Sequence, residues 1–108
     1  MLLSHRSSIN DKLGYNSFNH INPEKGNKYQ LCYNDYAPGE GYQYCNYNYT
    51  LLGAIIEKVS GERFDNYIEN HITAPLGLKC SFNVDKLDSS LFVPLYKYDE
   101  KARKFKLM

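Results

Sequence analysis

No stretch of this chain can cross a bilayer as a helix: its longest apolar patch, around Leu51 to Ile56, is far shorter than the ~20 residues such a helix needs. A secretion signal is missing too, because Met1-Leu2-Leu3-Ser4-His5-Arg6 is not followed by a sustained apolar region. The chain is therefore expected to be cytoplasmic or to have lost a leader. Charge of one sign is not in excess. Lys plus Arg number 13 and Asp plus Glu 12, a formal net charge of +1, which gives no electrostatic case for nucleic acid or an anionic membrane surface as partner. Cysteine is sparse and unpatterned. Cys32, Cys45 and Cys80 form no C-x-x-C and no Cys/His metal spacing, so no metal site is expected. They read as free thiols or small buried apolar residues, with one disulfide plus a free thiol as the alternative. Internal repeats and low-complexity tracts are absent as well.

What is present fits one small α+β domain at most. At 108 residues the chain can bury only a modest core. An aromatic content of 15% is too rich for intrinsic disorder, and 23% charged residues fit a soluble protein.

Residues 1–9 read as the end of a short helix. Residues 10–43 are rich in Asn, Gly, Tyr and Pro and lack steady periodicity. They are expected to form a long loop region with one helical turn near Lys28 to Asn34, and loops of that length are often functional. The segment 44–78 carries two helices. In the first, Leu51, Leu52, Ile55, Ile56 and Val59 share one face. Asn46 or Asn48 can cap its start, Lys58 sits in its last turn, and Ser60-Gly61 stops it. The second is expected from about Arg63 to Thr73, with Phe64, Tyr67, Ile68, His71 and Ile72 on its apolar side and Pro75 and Gly77 beyond its end. Residues 84–108 are expected to carry a hairpin. Its strands are Leu91 to Tyr98 and Lys104 to Leu107, around a polar turn from Asp99 to Arg103. Pro94 suits an edge strand. The chain ends inside the second strand, which looks more like a cut than a finished domain.

Ordered motifs add a family resemblance. Tyr44-Cys45-Asn46 precedes Tyr49-Thr50-Leu51-Leu52-Gly53-Ala54-Ile55-Ile56-Glu57. Upstream lie Leu2-Leu3-Ser4-His5-Arg6-Ser7-Ser8 and Tyr36-Ala37-Pro38-Gly39; downstream lie Val59-Ser60-Gly61 and Ile72-Thr73-Ala74-Pro75-Leu76-Gly77-Leu78. Short motifs are weak singly, but in this order, over residues 2 to 82, they are specific. The chain resembles serine β-lactamases and penicillin-binding proteins, in the branch of class C β-lactamases, DD-peptidases and related esterases. The resemblance implies a fragment of a β-lactamase/transpeptidase-like fold: mainly its helical subdomain, plus a C-terminal β-hairpin.

The resemblance also implies chemistry. Tyr44 would be the phenol of a tyrosine-lysine proton relay. A free phenol has a pKa of about 10, so the relay depends on nearby ammonium groups that favour phenolate. Asn46 would hydrogen-bond a substrate amide carbonyl and help hold the lysine. Cys45, usually serine in the family, points elsewhere. His5 would order a turn and not act as a base, and His20 and His71 suit surface or core-edge positions. A plainer reading makes Tyr44 a buried tyrosine bonded to backbone and Asn46 a helix cap. The tyrosines at 42, 44, 47 and 49 also admit a sugar-binding platform.

Other parts of the family's chemistry are missing. No serine is followed three residues on by lysine, and no Lys-Thr-Gly or His-x-Gly element occurs. The family's nucleophile would precede Met1, and its third motif would lie downstream. Ser8 replaces a family glycine, which leaves the turn there open to differ. The expectation is a piece of a serine hydrolase that is inactive alone, since nucleophile and base must lie within hydrogen-bond reach. The parent's partner would be an acyl, peptide or β-lactam small molecule, with no cofactor and no metal. The family would place the parent in the periplasm or outside the cell if a leader precedes the chain. Uncovered apolar faces would favour self-association. The alternatives are a non-catalytic pseudoenzyme or interaction module built on the two helices, and an unrelated Tyr-rich binding domain.

Overall fold

The computed structural model describes residues 1–108 as two compact units, Met1–Tyr67 and Ile68–Met108. No helix is long and apolar enough to cross a membrane.

In the first unit, residues 1–9 are turns and an isolated bridge, not the expected end of a helix. The reason is visible in the backbone. His5 and Ser8 have φ of 55° and 65°, values a right-handed helix excludes. Their carbonyls bind other segments: Gln43 N–H donates to His5 O at 3.0 Å and Asn34 N–H to Ser8 O at 2.8 Å. Ile9 bridges Tyr33, and Asn10 N–H donates to Cys32 O at 2.8 Å. Gly39 N–H donates to Arg6 O at 2.8 Å. The opening strip is thus pinned to residues 32–34 on one side and 39–43 on the other.

The long loop is ordered by such bonds. It carries the expected helical turn, a 3-10 turn at Tyr29–Cys32, and a second at Phe18–His20 that Ser17 caps. Asn10 and Asn22 accept from backbone N–H groups two residues on, the local habit of Asx side chains. Ser8 takes up the left-handed conformation that glycine favours. Its hydroxyl bonds to the carbonyl of Tyr36, which ties the first motif to the Tyr36-Ala37-Pro38-Gly39 turn.

Helix α1 spans Asn46–Ser60. Its N-cap is Cys45, not Asn46 or Asn48, and Cys45 makes no side-chain cap bond. The Asn48 side chain is engaged elsewhere, and the capping oxygen comes from a distant residue: Asp11 Oδ2 accepts from Asn46 N–H at 3.1 Å. A carboxylate there satisfies an orphan donor and complements the helix dipole. Gly61, at φ 73°, ends the helix as expected. Ile55 and Val59, on the apolar face, are exposed, Val59 by 83%. The buried core consists of Cys32, Cys45 and Tyr47, with Asn10 and Asn48 beside them.

Helix α2 is α-helical over Phe64–Ile68 and widens to a π turn over Glu69–Thr73. Glu57 Oε1 accepts from Phe64 N–H at 2.9 Å and so caps its start. The Arg63 guanidinium grips both Asp65 oxygens, at 3.0 and 3.1 Å. In the second unit, Ala74 N–H closes the wide turn on Glu69 O at 2.9 Å, and Gly77, at φ 67°, ends the run.

Capped 3-10 turns follow at Val84–Lys86 and Ser89–Leu91. The hairpin is antiparallel, β1 Tyr96–Asp99 pairing β2 Lys104–Leu107 with Tyr96 opposite Leu107. It is narrower than residues 84–108. The first strand starts at Tyr96, not Leu91, because Asp88 caps a turn through Leu91; Pro94, with no N–H to give, stays outside the ladder. The Tyr98 and Phe105 rings meet edge-on at 5.3 Å. Lys106 Nζ lies 2.5 Å from Asp99 Oδ2, and this cation holds the Asp99 carboxyl below its ordinary range. All three cysteines are free; Cys32 and Cys45 are buried and Cys80 is exposed.

Candidate functional site

The Tyr-x-Asn triplet sits where extended backbone enters α1. Cys45 has φ −151° and ψ 118°, so neighbouring side chains alternate in direction. The Cys45 thiol turns into the core, and burial pushes its pKa up. Tyr44 turns outward and is 63% exposed. Its hydroxyl donates to Asn46 Oδ1 at 3.3 Å. The plain alternative of a buried tyrosine bonded to backbone therefore does not describe Tyr44. It does describe Tyr47, which is fully buried and bonds the Ser17 carbonyl; burial raises its pKa.

Asn46 is oriented by Asp11. Asn46 Nδ2 donates to Asp11 Oδ2 at 3.4 Å, and the same oxygen takes the Asn46 N–H. The amide nitrogen thus faces the carboxylate and the amide oxygen faces the Tyr44 phenol. Asp11 was not singled out from the sequence. It lies in an aperiodic loop, 35 positions from its partner, and no local signal marks it.

His5 joins the first motif to the triplet. Its ring centroid is 4.6 Å from that of Tyr44, 5.3 Å from Tyr49 and 6.0 Å from Tyr42. Cys45 N–H donates to His5 Nδ1 at 3.2 Å, and Asn48 Nδ2 lies 3.1 Å from the same nitrogen. Ser7 Oγ donates to Asn48 Oδ1 at 2.5 Å. Tyr49 hydroxyl donates to Leu3 O at 3.1 Å. Four tyrosines were grouped in the sequence; Tyr42, Tyr44 and Tyr49 surround His5, while Tyr47 is structural. His20 stays apart from this cluster, bonded to Asn16 on the surface.

Chemically, the arrangement presents one phenol and one amide oxygen outward at a helix start, on a backbone held from behind by buried polar groups. Nearby, Tyr49 and Thr50 line an open depression of about 450 Å³ that reaches Phe64. No cluster of His, Cys, Asp and Glu suits a metal ion.

A family model described as Beta-lactamase matches residues 1–102. A protein of Escherichia coli (strain K12), whose name assigns it provisionally to the D-alanyl-D-alanine carboxypeptidases, is 46% identical over 44 residues, 41% of this chain and 10% of that protein. The octameric penicillin-binding protein homologue from Pyrococcus abyssi superposes with a TM-score of 0.66 at 28% identity, covering 98% of this chain and 27% of that one. D-amino acid amidase from Ochrobactrum anthropi SV3, in complex with L-phenylalanine amide, gives a TM-score of 0.50 at 25% identity over 80% of this chain and 27% of that one. The chain spans about a tenth of the E. coli relative and about a quarter of each solved structure.

Proposed function

The chain belongs to the β-lactamase family, and we propose that it carries the Tyr-x-Asn part of a serine acyl-transfer site whose nucleophile it does not contain. The observation behind this reading is Tyr44, an exposed phenol at the start of α1 that faces Asn46 Oδ1.

In the proposed reaction a serine hydroxyl attacks an acyl carbonyl. Tyr44, handing its own hydroxyl proton to the relay lysine, takes the serine proton, and the relay returns it to the departing amine, alcohol or ring nitrogen. Water then cleaves the acyl-serine and releases the acid. Asn46 Oδ1 is a natural acceptor for the ammonium of a relay lysine. Its Nδ2 carries two hydrogens, one directed at Asp11, and the other suits a substrate carbonyl. The substrate class is an amide, ester or β-lactam. No Ser-x-x-Lys occurs in the 108 residues, so the chain alone is proposed to be inactive. Apolar residues left exposed, among them Val59, Leu76 and Val93, are proposed to drive self-association, read as a concentration-dependent sedimentation profile.

Incubation of the purified chain with a fluorescent penicillin tests the division of labour. No covalent label is expected. A labelled band, mapped to any residue, would show that this chain carries its own nucleophile and overturn the reading.

A further inference from the structure

We propose that His5 is the positioning residue for Tyr44. It acts as the Nε2–H tautomer, whose Nδ1 fixes the backbone beside Tyr44 and whose ring, tilted against the phenol, sets its direction. The functional meaning of this rests on the Tyr44 reading above, whereas the geometry stands by itself.

Every link follows from one unambiguous donor. The backbone N–H of Cys45 can only donate, and it points at His5 Nδ1 at 3.2 Å. Nδ1 must therefore be an acceptor, and the neutral ring keeps its proton on Nε2. Because Nδ1 accepts, Asn48 must present Nδ2 to it, at 3.1 Å. The Asn48 oxygen is then turned to Ser7, whose hydroxyl donates at 2.5 Å. Ser7 Oγ in turn accepts from Ile9 N–H at 3.2 Å. The donors converge on His5 Nδ1, from Ile9 through Ser7 and Asn48 on one side and from Cys45 on the other, and Asn48 is fully buried. Reversing any one member would set donor against donor or acceptor against acceptor, which is costly where water is excluded.

The ring does a second task. The ring lies tilted against Tyr44 with centroids 4.6 Å apart, with Tyr49 at 5.3 Å and Tyr42 at 6.0 Å. Acceptor and platform are parts of one rigid imidazole, so the Cys45 amide and the Tyr44 phenol share a reference point. The His5 backbone suits this role. Its φ of 55° is a conformation that His and Asn tolerate better than most residues.

The two tasks separate by substitution. His5→Asn keeps an acceptor oxygen near the place of Nδ1 and tolerates the positive φ, but removes the ring. Asn48→Asp replaces a donor with an acceptor facing Nδ1, which draws the proton to that nitrogen and leaves Cys45 N–H without its partner. The experiment is nitrogen-15 and proton NMR of the full 108-residue chain, with the ring neutral. In the unmodified chain Nδ1 is expected to show a pyridine-type shift and Nε2 a pyrrole-type shift, and Tyr44 ring protons are expected to be displaced by the imidazole. In His5→Asn the Tyr44 displacement should vanish while the hydrogen-bonded Cys45 amide shift persists. In Asn48→Asp the tautomer should switch and the Tyr44 shifts change with it. A protonated Nδ1 in the unmodified chain overturns the proposal, and this reading needs no variant to fold. Tyr44 shifts indifferent to His5→Asn overturn it equally. Either failure removes the His5 role and leaves the Tyr44 proposal standing; that proposal falls instead if acylation in the complete enzyme ignores Tyr44→Phe.

Discussion

Tyr44 and Tyr47 are three residues apart and have opposite environments. Tyr44 is 63% exposed with its hydroxyl on Asn46, while Tyr47 is fully buried with its hydroxyl on the Ser17 carbonyl. One stands open to solvent at the start of α1 and the other holds the loop against it.

Their substitutions should separate accordingly. Tyr47→Ala is expected to lower stability by ~3–5 kcal/mol, as for a large aromatic lost from a core. Tyr47→Phe should cost about 0.5–1.5 kcal/mol, the loss of one hydrogen bond to a Ser17 carbonyl that keeps its bond from His20 N–H. Tyr44→Phe should stay within about 0.5 kcal/mol, as surface changes do. Urea midpoints check this, and comparable losses at Tyr44 and Tyr47 would contradict the assignment.

Two glycines of α1 should respond in opposite directions. Gly61 closes the helix at φ 73° with open space around a built Cβ, so strain alone acts in Gly61→Ala. A loss of about 1 kcal/mol is expected. Gly53 lies inside the helix, and a Cβ there would meet the Phe64 ring at 3.8 Å, an ordinary contact. Gly53→Ala should therefore stabilise by about 0.5–1 kcal/mol. Thermal melts of both variants measure the difference in sign.

Thiol reactivity should divide the cysteines. Cys80 is exposed; Cys32 and Cys45 are buried, and burial holds the Cys45 thiol above its ordinary pKa. A thiolate-selective disulfide reagent should react quickly at Cys80 alone. The other two should react only when denaturant opens the first unit. Rapid modification of all three in the native chain would place Cys45 outside the core.

The hairpin should respond to acid. The folded Asp99 pKa is depressed, foremost by its hydrogen bond to Lys106. Its contribution is therefore fully present above the unfolded value of about 3.9 and is lost as pH falls through the lower folded value. Cross-strand proton shifts between Tyr98 and Phe105 should fade over that range. In Lys106→Gln the acid dependence should weaken. An unchanged acid response in the variant would exclude the pair as its cause.

Much of the fold was legible where local physics decides. The apolar positions of α1 repeat at the helical period, and Gly61 supplies the left-handed stop. The polar run from Asp99 to Arg103 marks the hairpin turn. The loop of residues 10–43 and its turn at Tyr29–Cys32 were legible, but what orders it was not, because that comes from pairs distant in sequence, such as Asn10 with Asn34 and Ser8 with Tyr36. The N-cap was misjudged for the same reason: Asp11 supplies it from outside the helix. At the candidate site the motif marked Tyr44 and Asn46. The opposite burial of Tyr44 and Tyr47 carried no such mark, since it depends on where extended backbone gives way to helix, between Cys45 and Asn46.

The most direct test uses the protein encoded by the full reading frame around these residues, acylated by a fluorescent penicillin before and after Tyr44→Phe. The expected result is label on a serine of a Ser-x-x-Lys element, slowed ~10²–10⁴-fold by the substitution, the range for loss of a general acid-base group, with the melting temperature unchanged. Equal acylation rates in the two proteins would contradict a proton-relay role for Tyr44.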